Sequence, residues 1–241
     1  DIGGATRVVQ DNVRDILAAH GDRFEIDVLA TLDGGPTPYE VQTYARDGAR
    51  VWTVTAQPGI DNMTAQDRSM ADVIDRLMDR IAPDLIHIHC VQRLTSSVLD
   101  IARRRKVPYL VTLHDGWWIS PNQFILSQQG RLETYDYGAD GTLPDRARIL
   151  QRGLSDAAAL LAVSEAFAAL HRNAGLVRVK ALPNGVSQAP EILRKPATGG
   201  RVRIGHIGGA ARHKGYALLR AAVESAAFEN LSLTVIDHAL A

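Results

Sequence analysis

Short runs rich in β-branched residues alternate with amphipathic helical patterns along almost the whole chain, and this alternation constrains the fold more than any other feature. Strand-then-helix repetition needs crossover connections, which lay strands side by side in parallel with helices packed over them. Strands are read near residues 25–30, 51–55, 85–89, 109–113, 160–164 and 179–182, with helices between. The clearest helix carries Met70, Ile74, Leu77, Met78 and Ile81 on one face, and Pro83 follows it. A proline ring, lacking an N–H, cannot extend the helical ladder.

Composition changes over residues 183–200, where Pro183, Pro190, Pro196, Gly199 and Gly200 sit among polar residues, the mark of an interdomain connection. The reading is an α/β chain with an N-terminal Rossmann-like domain over residues 1–185, a linker over 186–200 and a second Rossmann-like domain beginning at 201–241. That second stretch shows a strand at 202–207, a helix with Ala217, Leu218, Ala221, Ala222 and Ser225, and a strand at 231–236. One β-α-β element cannot cover both faces of a sheet, so the back edge reads as cut. The front edge reads the same way. Gly3-Gly4 precede a helix whose apolar face is Val9, Val13, Ile16 and Leu17, with no strand leading into the glycines and a neighbouring strand edge left open to association.

Lys plus Arg equals Asp plus Glu, 27 against 27, so no net field favours nucleic acid or an anionic surface. Cys90 is the only cysteine, which excludes an internal disulfide. No apolar run is long enough to span a bilayer. The one basic block, Arg103-Arg104-Arg105-Lys106, follows a helical pattern, where cations complement the negative end of the helix dipole.

The segment from Ile204 through Gly208, Gly209, Arg212, His213 and Lys214 to Gly215 runs from a strand through a glycine turn into a helix that opens with cations. Cations at a helix start oppose the dipole unless an anion offsets them, which points to phosphate. Gly3-Gly4 sit at the matching place in the first half. In open parallel sheets ligands lie beyond the carboxyl ends of strands, so His89, His114-Asp115, Ser164-Glu165 and Asn184-Gly185 are the residues to weigh. His114 hydrogen-bonds near neutral pH, and Gly116-Trp117-Trp118 beside it offers aromatic faces suited to sugars. Ser164 is read as a helix N-cap. His87 and His89 are read as pointing to opposite sheet faces, unable to share a metal, and no CxxC or HxxxH spacing supports a metal elsewhere.

The ordered set Gly3-Gly4, residues 83–89 (PDLIHIH), Thr112-Leu113-His114-Asp115, Ala162-Val163-Ser164, Pro183-Asn184-Gly185-Val186 and Ile207-Gly208-Gly209 through Lys214-Gly215 resembles the family-4 retaining glycosyltransferases of the GT-B fold. The resemblance implies transfer of a sugar from a nucleotide-sugar donor to a glycan or lipid-linked acceptor, without metal or cofactor. Gly3, Gly4, Gly208, Gly209, Arg212 and Lys214 would hold the donor, with Arg212 standing in for the arginine that many members carry where this chain has Gly209. His114 would act at the reacting sugar, and Asp115, Trp117 and Trp118 would lie on the acceptor side. The aromatic loop is similar to that of members that elongate bacterial surface polysaccharides, which implies a cytoplasmic enzyme with peripheral association at the inner membrane face. The family's paired glutamates, spaced E-x7-E, would fall beyond residue 241, so the stretch alone is expected not to turn over. Non-hydrolysing sugar-nucleotide epimerases share the architecture, with Asp115 as their one acid–base candidate, and a non-catalytic nucleotide-binding unit is the other alternative.

Overall fold

The computed structural model describes residues 3–139, 142–186, 202–209, 214–225 and 231–236. Backbone contacts divide the chain into two compact units, Asp1–Ser187 and Gln188–Ala241.

The first unit opens with α1 (Gly4–His20), then β1 (Asp27–Leu32), β2 (Val41–Arg46), β3 (Ala49–Thr55), α2 (Arg68–Ile81), β4 (Ile86–Ile88), α3 (Ser97–Arg105) and β5 (Tyr109–Leu113). A single 3₁₀ turn at Gly116–Trp118, α4 (Asp145–Ser155), β6 (Ala159–Ala162), α5 (Glu165–Asn173) and β7 (Val179–Ala181) complete it. The strands form a four-stranded sheet, β4-β5-β6-β7, parallel throughout, and a three-stranded sheet, β1-β3-β2. The parallel four-stranded sheet with its crossover helices is a Rossmann-like α/β arrangement.

The second sheet departs from the all-crossover reading. β1 runs parallel to β3, but β2 runs antiparallel to it, joined through Asp47 at φ 51° and Gly48 at φ 84°. Two consecutive positive φ values are what a two-residue hairpin needs, and Asp-Gly supplies them at low cost. All six residues of β2 are exposed, so burial leaves no apolar run to betray the strand. Among the described residues, β1 pairs with β3 alone and β4 with β5 alone.

One hydrophobic core spans the first unit. α2 feeds it with Met70, Val73, Ile74, Leu77 and Met78, the stripe its sequence spacing required. The Asp67 carboxylate caps its start by accepting from the Met70 N–H at 3.1 Å, and Ala82 ends it at φ 48°, one residue before Pro83. Full burial of each such side chain stabilises by about 1.5–3 kcal/mol. The basic block at the end of α3 is used structurally: Arg103 pairs with Asp156 and Asp100, Arg104 with Asp75, and Arg105 with Asp75 and Asp79.

In the second unit, β8 (Val202–Ile207) and β9 (Leu231–Ile236) pair in parallel, with α6 (Tyr216–Ser225) between them in sequence. Parallel neighbours need a crossover of this kind.

Candidate functional site

Because β4 to β7 are parallel, their carboxyl ends share one edge, and the polar strand-end residues meet there. His89 follows β4, and His114-Asp115 follow β5. His89 Nδ1 and His114 Nε2 lie 2.9 Å apart, so one nitrogen donates and the other accepts, and the rings stand 5.2 Å apart between centroids with planes 26° from parallel. The His87 ring lies 4.0 Å from that of His89, and His87 Nε2 is 2.8 Å from Thr112 Oγ1. This corrects the reading of His87 and His89 onto opposite faces. Side chains two positions apart in a strand share a face, and here two imidazoles do. Even so, no three His, Cys, Asp or Glu side chains among the described residues are grouped to hold a metal ion.

All three imidazoles are held toward neutrality. Desolvation comes first for each; after it, His114 acts on His87, and His87 then His114 act on His89, which is pushed down to about 3. His114 is also lowered by burial, opposed by the Asp115 carboxylate. A neutral pair can share one hydrogen-bonding proton, whereas a charged pair would repel.

Asp115 ties loops together. Its Oδ2 accepts from Gln92 Nε2 at 3.1 Å and from Gln123 Nε2 at 2.7 Å, while Oδ1 accepts from the Trp117 N–H at 3.0 Å. The chain then turns both tryptophans inward. Trp117 and Trp118 are only 1% and 2% exposed, Trp117 Nε1 donates to the Asn62 carbonyl at 2.7 Å, and Tyr137 Oη donates to the Trp118 carbonyl at 2.6 Å. Both indoles expected on the acceptor side are thus packed inside this loop. A Trp indole that finds a partner for its N–H is better buried than left as a sugar platform.

Arg146, from α4, secures the same loop. Its guanidinium donates to the carbonyls of Met63, Ser120 and Trp117 and to Tyr135 Oη, and it lies 4.4 Å from the Trp117 ring centroid. Composition gives no hint of this role, because every partner comes from another part of the chain. Two loops at this edge also hold strained backbone: Arg93 at φ 66° and Thr95 at φ 65° after β4, and Ile125 at φ 54° after β5. A β-branched residue at positive φ costs of order 1–3 kcal/mol and collects where function over-determines geometry. Arg93 Nη1 pairs with the Asp33 carboxylate after β1, linking that loop to the β4 loop.

Of the other strand-end residues, Ser164 is the N-cap of α5, its Oγ accepting from the Phe167 N–H at 3.2 Å, and Asn184 and Gly185 are exposed. Gly3 caps α1 without a side-chain bond, and a Cβ on Gly3 or Gly4 would meet nothing within 4 Å. The fold itself makes no steric demand for glycine there.

In the second unit, Gly208 at φ 138° and Gly209 at φ 75° follow β8, and Gly215 at φ 74° precedes α6. L side chains avoid such angles. Lys214 lays its aliphatic stem over Gly208, whose Cβ position is 3.6 Å from Lys214 Cδ. The buried His206 braces the turn through Nε2, 3.0 Å from the Gly209 carbonyl. Arg212 and His213 lie outside the described residues.

Comparison with curated proteins returned no match. Residues 3–185 match the glycosyl transferase 4-like domain. That match and the parallel Rossmann-like sheet agree, and the chain belongs to the glycosyl transferase 4-like family, a family-4 glycosyltransferase with a Rossmann-like domain of the GT-B type and with a sugar donor and an acceptor as substrates.

Proposed function

We propose that this protein transfers a sugar from a nucleotide-sugar donor to a glycan or lipid-linked acceptor with retention of configuration, in bacterial polysaccharide synthesis. The observation that carries the reading is the coincidence of the family match over 3–185 with a neutral histidine pair at the carboxyl edge of the parallel sheet. In this reading His114 hydrogen-bonds the transferred sugar as the bond to the diphosphate breaks. Lys214 and Arg212 offset the charge that builds on the leaving group, together with backbone N–H groups at Gly3-Gly4 and Gly208-Gly209. Helix ends and fixed cations can perform that neutralisation without a metal ion. The Asp115 carboxylate is already engaged by three donors, which speaks against the acid–base role an epimerase would give it. The reading places the enzyme in the cytoplasm, peripherally at the inner membrane face. Among the described residues no helix is long and apolar enough to cross a membrane.

The test is product analysis of the intact protein with radiolabelled sugar nucleotides, with and without acceptor, in EDTA and in Mn²⁺ or Mg²⁺. Labelled acceptor with the donor's anomeric configuration, formed in EDTA, supports the reading. Interconversion of sugar nucleotides without acceptor identifies an epimerase, and nucleotide binding without turnover identifies a non-catalytic unit.

A further inference from the structure

We propose that His89 is a positioning residue for His114: by holding His114 Nε2, it leaves Nδ1 as the nitrogen facing the sugar and sets whether that nitrogen donates or accepts. The proposal rests on the reading that His114 contacts the transferred sugar.

The contact comes from the sheet. β4 and β5 pair in parallel with His87 opposite Leu110 and Ile88 opposite Val111. Residues 87 and 89 share a face of β4, and 112 and 114 share the same face of β5. Both His87 and His89 reach forward across this register by two residues, His87 to Thr112 at 2.8 Å and His89 to His114 at 2.9 Å. The same stagger repeated twice is a property of the strand pair, the kind of rigid support that fixes a reacting side chain. His89 is itself held between the His87 ring at 4.0 Å and the His114 ring at 5.2 Å.

One proton lies between the two facing nitrogens. If His89 Nδ1 carries it, His114 Nε2 accepts, the single ring N–H proton of neutral His114 sits on Nδ1, and His114 offers the sugar a donor. If His114 Nε2 carries it, Nδ1 is a lone pair that accepts from a sugar hydroxyl. The tautomer of one ring therefore dictates the chemistry of the other, with no net proton transfer. Without His89, His114 would sample both tautomers and rotate, and a misplacement of about 1 Å at a reacting group can cost on the order of a hundredfold in rate.

The experiment pairs kinetics with nitrogen NMR of ¹⁵N-histidine-labelled intact protein. In the wild type, His114 should show one neutral tautomer. In His89→Phe it should show averaged nitrogens, with kcat lowered between about tenfold and a hundredfold and the KM for donor nearly unchanged. His89→Asn, whose amide can donate or accept at this position, should recover part of kcat. A role in stability alone would lower Tm without moving the His114 nitrogens. The proposal is overturned if wild-type His114 already averages its tautomers, which needs no variant to fold, or if His89→Phe keeps one tautomer and normal kcat. His114→Ala separates the two levels. Normal turnover in that variant removes the reading of His114 at the sugar, whereas lost turnover there with normal turnover in His89→Phe removes only the positioning role.

Discussion

The strand ends of β5 and β8 reach polar, ligand-accessible geometry by opposite means. At the end of β5 the shape is made by side chains: His114 is held by His89, and Asp115 collects Gln92, Gln123 and the Trp117 N–H. At the end of β8 it is made by backbone: Gly208 and Gly209 take positive φ, and one histidine, His206, braces the turn from behind. A side-chain site can present a particular hydrogen-bonding nitrogen but is sensitive to truncation and to protonation. A glycine turn presents bare N–H groups at close range but strains any residue that carries a Cβ. The first arrangement suits discrimination at a reacting sugar, and the second suits close approach to a diphosphate.

The sharpest way to break this contrast is at His114. His114→Ala in the intact enzyme should lower kcat by about 10²–10³, the range for removing one positioned hydrogen-bonding group, while Tm and nucleotide affinity stay near wild type. Measuring kcat and Tm on one preparation decides it, because a destabilised enzyme with normal kcat would make His114 a structural cap. The matching change in the second unit is Lys214→Ala. It should weaken UDP or GDP binding by about 1.5–3 kcal/mol in calorimetry, and unchanged affinity would remove the anion site from this loop.

Legibility in the sequence followed the same division. The strands at 109–113, 202–207 and 231–236 coincide with β5, β8 and β9, because each is a short β-rich run set off by polar or turn residues. β2 escaped because exposure on both faces erases its pattern, although Asp47-Gly48 marked the hairpin. His114, Asp115, Gly208 and Gly209 could be singled out because strand ends and positive-φ turns have local signatures. The inward turn of Trp117 and Trp118 could not, since it depends on Asn62, Tyr137 and Arg146 arriving from distant segments. The His89–His114 contact lay between these cases: both positions were visible, but their meeting required the β4–β5 register.

Asp115 tests whether the side-chain site is scaffold or chemistry. Asp115→Asn replaces one acceptor oxygen by an NH₂ that either faces the Trp117 N–H or makes Gln92 and Gln123 turn their amides, and losing one such half-buried hydrogen bond costs about 0.5–1.5 kcal/mol. Chemical denaturation should show that loss while kcat per folded molecule is kept. Normal stability with lost kcat would instead move Asp115 onto the substrate. On the backbone side, Gly209→Ala at φ 75° should cost roughly 1–2 kcal/mol through left-handed strain alone. Nucleotide affinity should fall with it, and a fully stable, tightly binding Gly209→Ala would show that the turn adapts.

The remaining expected effect concerns acid, and it separates the two constructions because only side chains titrate. His171, fully buried in the first unit, donates from Nδ1 to the Phe167 carbonyl 2.9 Å away, and its Nε2 has no partner among the described residues. A carbonyl only accepts, so Nδ1 carries the proton and Nε2 is a buried lone pair. Burial pushes this imidazole down to about 4, with the Phe167 carbonyl opposing. Between the ordinary histidine value and about 4 the unfolded chain binds a proton that the folded chain refuses. Stability therefore falls as pH drops through that window and is kept above it, by up to about 1.4 kcal/mol per pH unit for one such group. His171→Phe fills a similar volume without the lone pair and should flatten the decline between pH 6.5 and 4 by that one-proton slope. His89, pushed down to about 3, works in the same direction and leaves a residual slope in the variant. Denaturant midpoints measured across that range for both proteins give the answer, and parallel curves would mean that His171 is protonated in the folded state through a partner or path the native packing does not supply.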